Sequence, residues 1–445
     1  MRSLSATLLA AQKSEYIEFP LCKIALTRTG EDSYSYDGDD LLRVRHTERL
    51  FSHKANVFID DNDAALHGID LEGYQVVISY GATTTDGDEY SATAPLWVIG
   101  QQSDSHPYTT LCSLELVGTL DLLAHDKANA QYSIASDDSD TAKAILDSIA
   151  DASIAPFDHC SAVTITYDTG YDGGDDLINS WVPADYFDVS FGESRLDAII
   201  KILAPTNCCL RVEDDGELHI FKPTISGESY DYEYNFDAGE HNFLSKRYRR
   251  RIIFPNKVTV LNHPNQGENT GSATDASQTL IEKERYYYFR GTSNDQCESL
   301  AEAILLRFQL DAQEGEARIP IMNFGQEIMD YVNVTDPRTS DNIAGNITWL
   351  TRNYGGGKME MDIGFGKQIT IPLNEFAGGT DGSGGGGSGG TGSLAALYEY
   401  INEILDLLNN KVSYDDFNKW YSDFIANAWF RKLTVVEQLL IPTWT

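Results

Sequence analysis

The side chains able to do chemistry are spread through this chain so that few of them fall into a recognisable local set. The nine histidines lie far apart, so no sequence-local metal-ligand group or catalytic triad can be assembled from them. HExxH, Walker A and dinucleotide fingerprints are all missing from the sequence. Gly355-Gly356-Gly357-Lys358 is followed by Met359, where a phosphate loop needs Ser or Thr, so it reads as a hairpin turn. Gly386-Gly387-Ser388-Gly389-Gly390 spells a nucleophile elbow, but it lacks the flanking strand and helix that would strain the serine. The six cysteines, Cys22, Cys112, Cys160, Cys208, Cys209 and Cys297, form no C-x-x-C pair, which removes zinc ribbons and thioredoxin-like sites. Adjacent Cys208 and Cys209 face opposite sides of an extended strand and do not suit a mutual bridge. These residues predict no catalytic group, no cofactor and no resident metal.

Three clusters carry weaker signals. Asp60-Asp61-Asn62-Asp63 and Asp172-Gly173-Gly174-Asp175-Asp176 offer oxygen ligands, yet neither completes an EF-hand loop, and Asp-Gly clusters commonly build turns. Lys246, Arg247, Arg249, Arg250 and Arg251 form the densest basic run. They are expected at a contact with carboxylates, either within the chain or on a neighbouring subunit or partner. Tyr230, Tyr232, Tyr234 and Phe236 share one face at period two. That stripe is either a sugar-stacking platform or, as strand propensity favours, core.

Composition narrows the rest. The chain has 445 residues, a formal net charge of -35 and 42% hydrophobic content, so it builds real cores and repels a phosphate backbone over most of its surface. No stretch approaches the roughly 20 apolar residues of a membrane span, so no stable membrane insertion is expected. The N-terminal apolar stretch of Leu4, Ala6, Leu8, Leu9, Ala10 and Ala11 is short and broken by Ser3, Ser5 and Thr7, and reads as an amphipathic arm rather than an export signal.

The elements that must position these groups are mainly strands. Residues 1–125 give short β-rich runs separated by Asp-Gly and Asp-rich turns, the pattern of a barrel or sandwich. Residues 126–225 change to a small α/β module. Ser139/Asp140 starts one helix there, Ser194 with Asp197 caps another, and a hairpin turns at Asp214-Asp215-Gly216. Residues 226–376 return to β, interrupted by a helix capped by Ser293 and Gln296 and closed by Gly315. A Gly-rich linker follows over 377–392, with ten glycines among the fifteen residues Gly378–Gly392. In the final segment, 393–445, Leu394, Leu397, Ile401, Ile404 and Leu408 keep the spacing of a coiled-coil seam and are the expected oligomerisation positions. A second helical stretch carries Phe417, Trp420 and Phe424.

Several of these segments resemble the trimeric tail-hub, or baseplate-hub, proteins of tailed bacteriophages. The resemblance rests on Leu8 to Lys13 before the first strand and on Pro95-Leu96-Trp97-Val98-Ile99-Gly100. It also rests on the helix Ser194 to Ile200 running into the Val212–Ile220 hairpin, on Asn256 to Val260, and on Asp330 to Asp336. It implies a mainly β (α+β) chain, with two β-barrel hub domains (1–125 and 226–376) around a small α/β domain (126–225). It further implies a homotrimer in the virion, at the tail tip, assembled in the host cytoplasm. The implied partners are the tail tube or distal tail protein, the tape-measure protein, and fibre or receptor-binding tip proteins, with DNA passing through without specific binding. The competing readings are a secreted or surface carbohydrate-binding β-protein and a tail-associated peptidoglycan hydrolase.

Overall fold

A computed structural model describes residues 1–366, apart from 15–19, 64, 67, 108, 152–153, 155, 158–161, 169–176, 228, 237–239, 251, 264–267, 278–279 and 340. The linker and the seam positions Leu394, Leu397, Ile401, Ile404 and Leu408 lie outside the described residues, as do Arg251, Cys160 and the acidic cluster 172–176.

The chain opens on helix α1 (Ala6–Gln12), followed by strands β1 (Pro20–Thr27), β2 (Tyr34–Asp37), β3 (Leu41–Arg49), β4 (Ser52–Asp60), β5 (Gln75–Thr84), β6 (Gly87–Ala92), β7 (Leu96–His106) and β8 (Thr109–Gly118). The middle holds α2 (Thr119–His125), β9 (Tyr132–Ser133), α3 (Ala142–Ala150), β10 (Ile165–Tyr167), α4 (Leu177–Ser180), β11 (Asp188–Val189), α5 (Arg195–Leu203), β12 (Cys209–Val212) and β13 (Leu218–Phe221). The last part holds β14 (Tyr232–Asn235), β15 (Ser245–Arg250), β16 (Lys257–Asn262), β17 (Thr270–Thr274), β18 (Glu284–Phe289), α6 (Asn294–Ala312), β19 (Gln313–Ile319), β20 (Tyr331–Asp336), β21 (Asp341–Gly355) and β22 (Lys358–Phe365). No helix among the described residues is long and apolar enough to cross a membrane.

The mainly β expectation holds, and the strands of the two β segments are joined. A 14-stranded sheet runs β15-β19-β22-β21-β3-β4-β8-β7-β5-β1-β2, with β6, β14 and β20 as branches. The join is the antiparallel pair β21–β3, from Trp349 opposite Arg49 to Gly355 opposite Arg43. This order is an open path and does not close into a barrel among the described residues.

Two hydrophobic cores result. One lies on the large sheet, around Ile24, Val57, Ile78, Leu116, Phe324, Leu350 and Ile363. The other unites α2, α3, α5 and the β12–β13 hairpin with β16, β18 and α6, around Leu146, Trp181, Ile199, Val260, Phe289 and Ile304. The interior therefore does not divide at the sequence boundaries 125 and 225, because α6 and the β17-β16-β18 sheet cover the helices of the middle segment.

Local chemistry explains the helix ends. Ser194 caps α5 by accepting from the Asp197 amide at 3.0 Å, and Asp197 reaches back to the Ser194 amide. At α6, Ser293 accepts from the Gln296 amide at 3.1 Å, while Gln296 accepts from Thr292 instead of Ser293. Thr141, not Ser139 or Asp140, caps α3. Two arginines close helix C-termini from neighbouring elements. Arg195 donates to the Ile149 and Ala150 carbonyls ending α3, and Arg307 to those of Leu203 and Ala204 ending α5. Gly315 is not a helix cap. It lies in β19, and with Gly345 it makes room for the Phe365 ring, since a Cβ at Gly345 would come within 2.6 Å of Phe365 Cδ2.

Ser194→Ala removes the α5 cap at a fully buried position and is expected to destabilise the protein by about 1 kcal/mol. Urea unfolding followed by circular dichroism checks this, and an unchanged midpoint would show that the cap contributes nothing.

Candidate functional site

The sequence-derived candidates occupy different places. β15 is an edge strand whose only partner among the described residues is β19. Its register sets Arg247 opposite Glu316 and Arg249 opposite Glu314, a ladder of opposite charges across the pair. Lys246 turns inward and donates to the Val334 and Asp341 carbonyls, with the Asp341 carboxylate 3.5 Å away. Arg247 is 70% exposed beside Glu316. Arg249 and Tyr248 line a groove of about 670 Å³ with Ile253, Ile343 and Phe365. Arg250 is placed by its backbone pairing with Gln313.

The tyrosine stripe is core. Tyr232 and Tyr234 are buried against the His241 ring, which Tyr232 meets edge-on and Tyr234 at a tilt. The Tyr234 hydroxyl donates to Gln326 at 2.7 Å, and the Tyr232 hydroxyl accepts from Gln12 at 3.0 Å. The sugar-platform reading loses its surface. Asp60, Asp61 and Asp63 accept backbone amides of Asn62, Leu66 and Ala65, as turn-forming aspartates do. Gly355, Gly356 and Gly357 have φ of 150°, 59° and 72° and make the β21–β22 turn. Cys22, Cys112, Cys208, Cys209 and Cys297 are buried thiols. Burial lifts the Cys112 thiol to about 11, away from reactivity.

Sequence reasoning missed the polar centre of the fold. On adjacent strands β21, β3 and β4, Arg352 lies opposite His46, and Glu48 opposite His53. Arg352 donates to Glu48 and to the Gln326 carbonyl. The His46 and His53 rings stack with centroids 4.6 Å apart and meet through their Nε2 atoms, and His46 Nδ1 lies 3.2 Å from the Tyr80 hydroxyl. From the amino terminus, Arg2 donates to the Ala92 and Phe324 carbonyls, and the Met1 amine lies 2.6 Å from Asp330 and 3.5 Å from Glu327. From β12, Arg211 reaches Glu213, Glu327 at 3.6 Å and Asp330 at 3.2 Å. The Met1 amine and Arg2, Arg211 and Arg352 thus balance Glu48, Glu213, Glu327 and Asp330.

Burial is the largest single influence on Glu48, His46, His53, Glu327 and Asp330. It would raise Glu48, but Arg352, aided by His53 and His46, overrides it and brings that carboxyl down to about 2. His46 is held well below the usual imidazole range by burial and then by His53, and His53 is lowered by burial. Asp330 and Glu327 are raised because burial outweighs their cationic partners. The readable signal was charge at buried-face positions, as in Val44-x-His46-x-Glu48 of β3.

A second cluster lies at the β12–β13 turn. His219 Nδ1 is 2.9 Å from Asp168 and its Nε2 is 3.0 Å from Asp215, with Glu213 3.7 Å away. Burial lowers the His219 pKa, but its hydrogen bonds to Asp168 and Asp215 outweigh that and raise it.

No protein-family profile and no curated protein matches the chain. Solved structures do. A tail protein from Neisseria meningitidis MC58 superposes with a TM-score of 0.54 at 10% identity, covering 78% of this chain and 96% of that one. The 43 kDa tail protein of prophage MuSo2 from Shewanella oneidensis gives 0.50 at 14% identity, covering 77% and 98%. The chain has the fold of these tail proteins, in agreement with the resemblance read from its sequence.

His46 and His53 are neutral in the fold and protonate in the unfolded chain below about pH 6.5, so they withdraw stability as pH falls through that value. His219 acts with the opposite sign, since its raised value favours the folded state at low pH. A His46→Gln/His53→Gln variant is expected to melt lower than wild type at about pH 7.5, yet to lose fewer degrees on going to about pH 5.5. His219 is common to both proteins and cancels. Equal losses in scanning calorimetry would remove the histidine pair as the source of acid sensitivity.

Proposed function

We propose that the chain is a structural protein of a phage tail tip, a hub that assembles as a homotrimer and joins the hexameric tail tube to the tip or its fibres. The observation that carries this reading is the fold, shared with tail proteins over more than three quarters of the chain. The role follows from a wide sheet that ends, among the described residues, at β15, whose one strand partner there is β19. Such an edge is a template for a neighbouring chain. Arg247, Tyr248 and Arg249 on β15 then face the adjacent subunit or tail component, as does the exposed Leu244 beside them.

The remaining expectations fit this placement. The trimer itself rests on the resemblance to tail hubs, and the 394–408 seam adds an expected contact at the threefold axis. The tape-measure protein, the tail tube and the fibres are the expected neighbours. The protein resides in the virion after assembly in the host cytoplasm. A net charge of -35 per chain suits a passage that DNA must traverse without sticking, because carboxylates repel phosphates within a Debye length of roughly 8–10 Å. The role is read as non-enzymatic.

Light scattering of the purified full chain is expected to give a trimer. Arg247→Gln/Arg249→Gln is expected to weaken that trimer at least tenfold while lowering the melting temperature of the subunit only slightly, by loss of the cross-strand pairing with Glu316 and Glu314. A stable monomer or a hexamer from the wild type would overturn the hub reading. An unaffected trimer from the variant would take β15 out of the interface. Clearing of peptidoglycan in zymography would return the chain to the hydrolases.

A further inference from the structure

The β12–β13 hairpin closes through Glu213-Asp214-Asp215-Gly216-Glu217, with Gly216 at φ 83°. Asp215 Oδ1 accepts from the Glu217 amide at 2.9 Å, so the turn folds over itself. It brings an oxygen of Asp215, an oxygen of Glu217 and a ring nitrogen of His219 within 4.8 Å of one another. Two residues outside the hairpin hold this set in place. β10 runs parallel to β13 with Thr166 in register with His219, and the Thr166 hydroxyl donates to Glu217 Oε2. Just past β10, Asp168 Oδ1 lies 2.9 Å from His219 Nδ1. A carboxylate on Nδ1–H fixes the orientation of the ring, so that Nε2, once its proton is displaced, can serve as the ligand atom, the way histidines are oriented in metal centres.

We infer that Asp215, Glu217 and His219 bind one divalent transition-metal ion of the borderline class to which Zn²⁺ belongs, with Asp168 and Thr166 as positioning residues. One imidazole nitrogen and two carboxylate oxygens suit that class better than a hard cation such as Ca²⁺, which takes six to eight oxygens. Asp215 is 47% exposed, so water can complete the coordination shell. On binding, the ion takes the place of the proton that otherwise bridges Nε2 and Asp215, and that proton leaves to solvent. Arg211, opposite His219 in the hairpin register, is already engaged by Glu213, Glu327 and Asp330. The His-containing set His46, Glu48 and His53 on the large sheet differs here, because the Arg352 guanidinium already occupies Glu48. A metal there would meet a buried positive charge. The inference stands on the hairpin geometry and is independent of the tail-tip reading.

Calorimetric titration of Zn²⁺ into the untagged, chelator-treated full chain is expected to show one equivalent per subunit. Asp215→Asn/Glu217→Gln is expected to weaken binding at least tenfold, and Asp168→Asn by a smaller factor. Asp86→Asn/Asp88→Asn, at an equally acidic exposed turn, is expected to leave it unchanged. X-ray absorption of the wild-type complex needs no variant, and is expected to show one imidazole and otherwise oxygen neighbours. Absence of binding, equal affinity in the Asp215/Glu217 variant, sulfur scattering or two imidazoles would each overturn the site.

Discussion

The charges buried where β21, β3 and β4 meet the amino-terminal arm impose the constraint on which the rest of the fold depends. Each of Arg2, Glu48, Arg352 and Asp330 gives up water in a region of low dielectric, and each is tolerable only with its partner in place. The partners come from distant parts of the chain. Met1 and Arg2 lie in the arm, Glu48 in β3, Arg211 in the α/β hairpin, and Glu327, Asp330 and Arg352 in the last β segment. Removing one member leaves an uncompensated charge at a cost of about 3–5 kcal/mol. The network therefore penalises any arrangement in which one segment is misdocked, and it acts as a registration device more than as a source of net stability.

That constraint explains the position of the amino-terminal arm. α1 buries Leu8 and Gln12, and the Gln12 side chain both donates to Tyr232 and accepts from the Phe324 amide. The arm thus ties β14 to the turn before β20, while its first two residues complete the charge network. The arginines that close α3 and α5 do the same work in the second core. Arg307 takes four carbonyls at the end of α5, from Leu203 to Cys208, so α6 is fixed to the α/β module by hydrogen bonds as well as by apolar packing. Each core is thereby tied together by polar contacts between elements far apart in the sequence.

Elements with a strong local rule were legible in the sequence. The α5 capping box, the Asp-Gly hairpin, the triple-glycine turn and the alternation of the Tyr232–Tyr234 strand each follow from contacts within a few residues. Gly315 misled, because a glycine after a helical stripe reads as a cap, and the aromatic ring of Phe365 that requires it comes from fifty residues further along. The pairing β21–β3 and the charge network were not legible for the same reason. Their partners are separated by about three hundred residues, and a lone arginine in a strand carries no mark of the carboxylate it will meet. The basic run 246–251 was only half legible. Its density pointed to carboxylate partners, but nothing local told that Lys246 turns inward to Asp341 while Arg247 faces solvent.

The division between centre and edge also accounts for how this fold is shared at 10–14% identity. What a sheet of this kind requires of its sequence is alternation and a core of about the right volume, and many sequences meet those terms. Other positions lie outside that requirement, among them the outward side of Arg247 on β15 and the turn at Asp215. Both carry exposed charge and serve neither core. A contact or a ligand there can therefore be gained or lost in evolution while the buried network, and with it the register of the whole sheet, stays as it is.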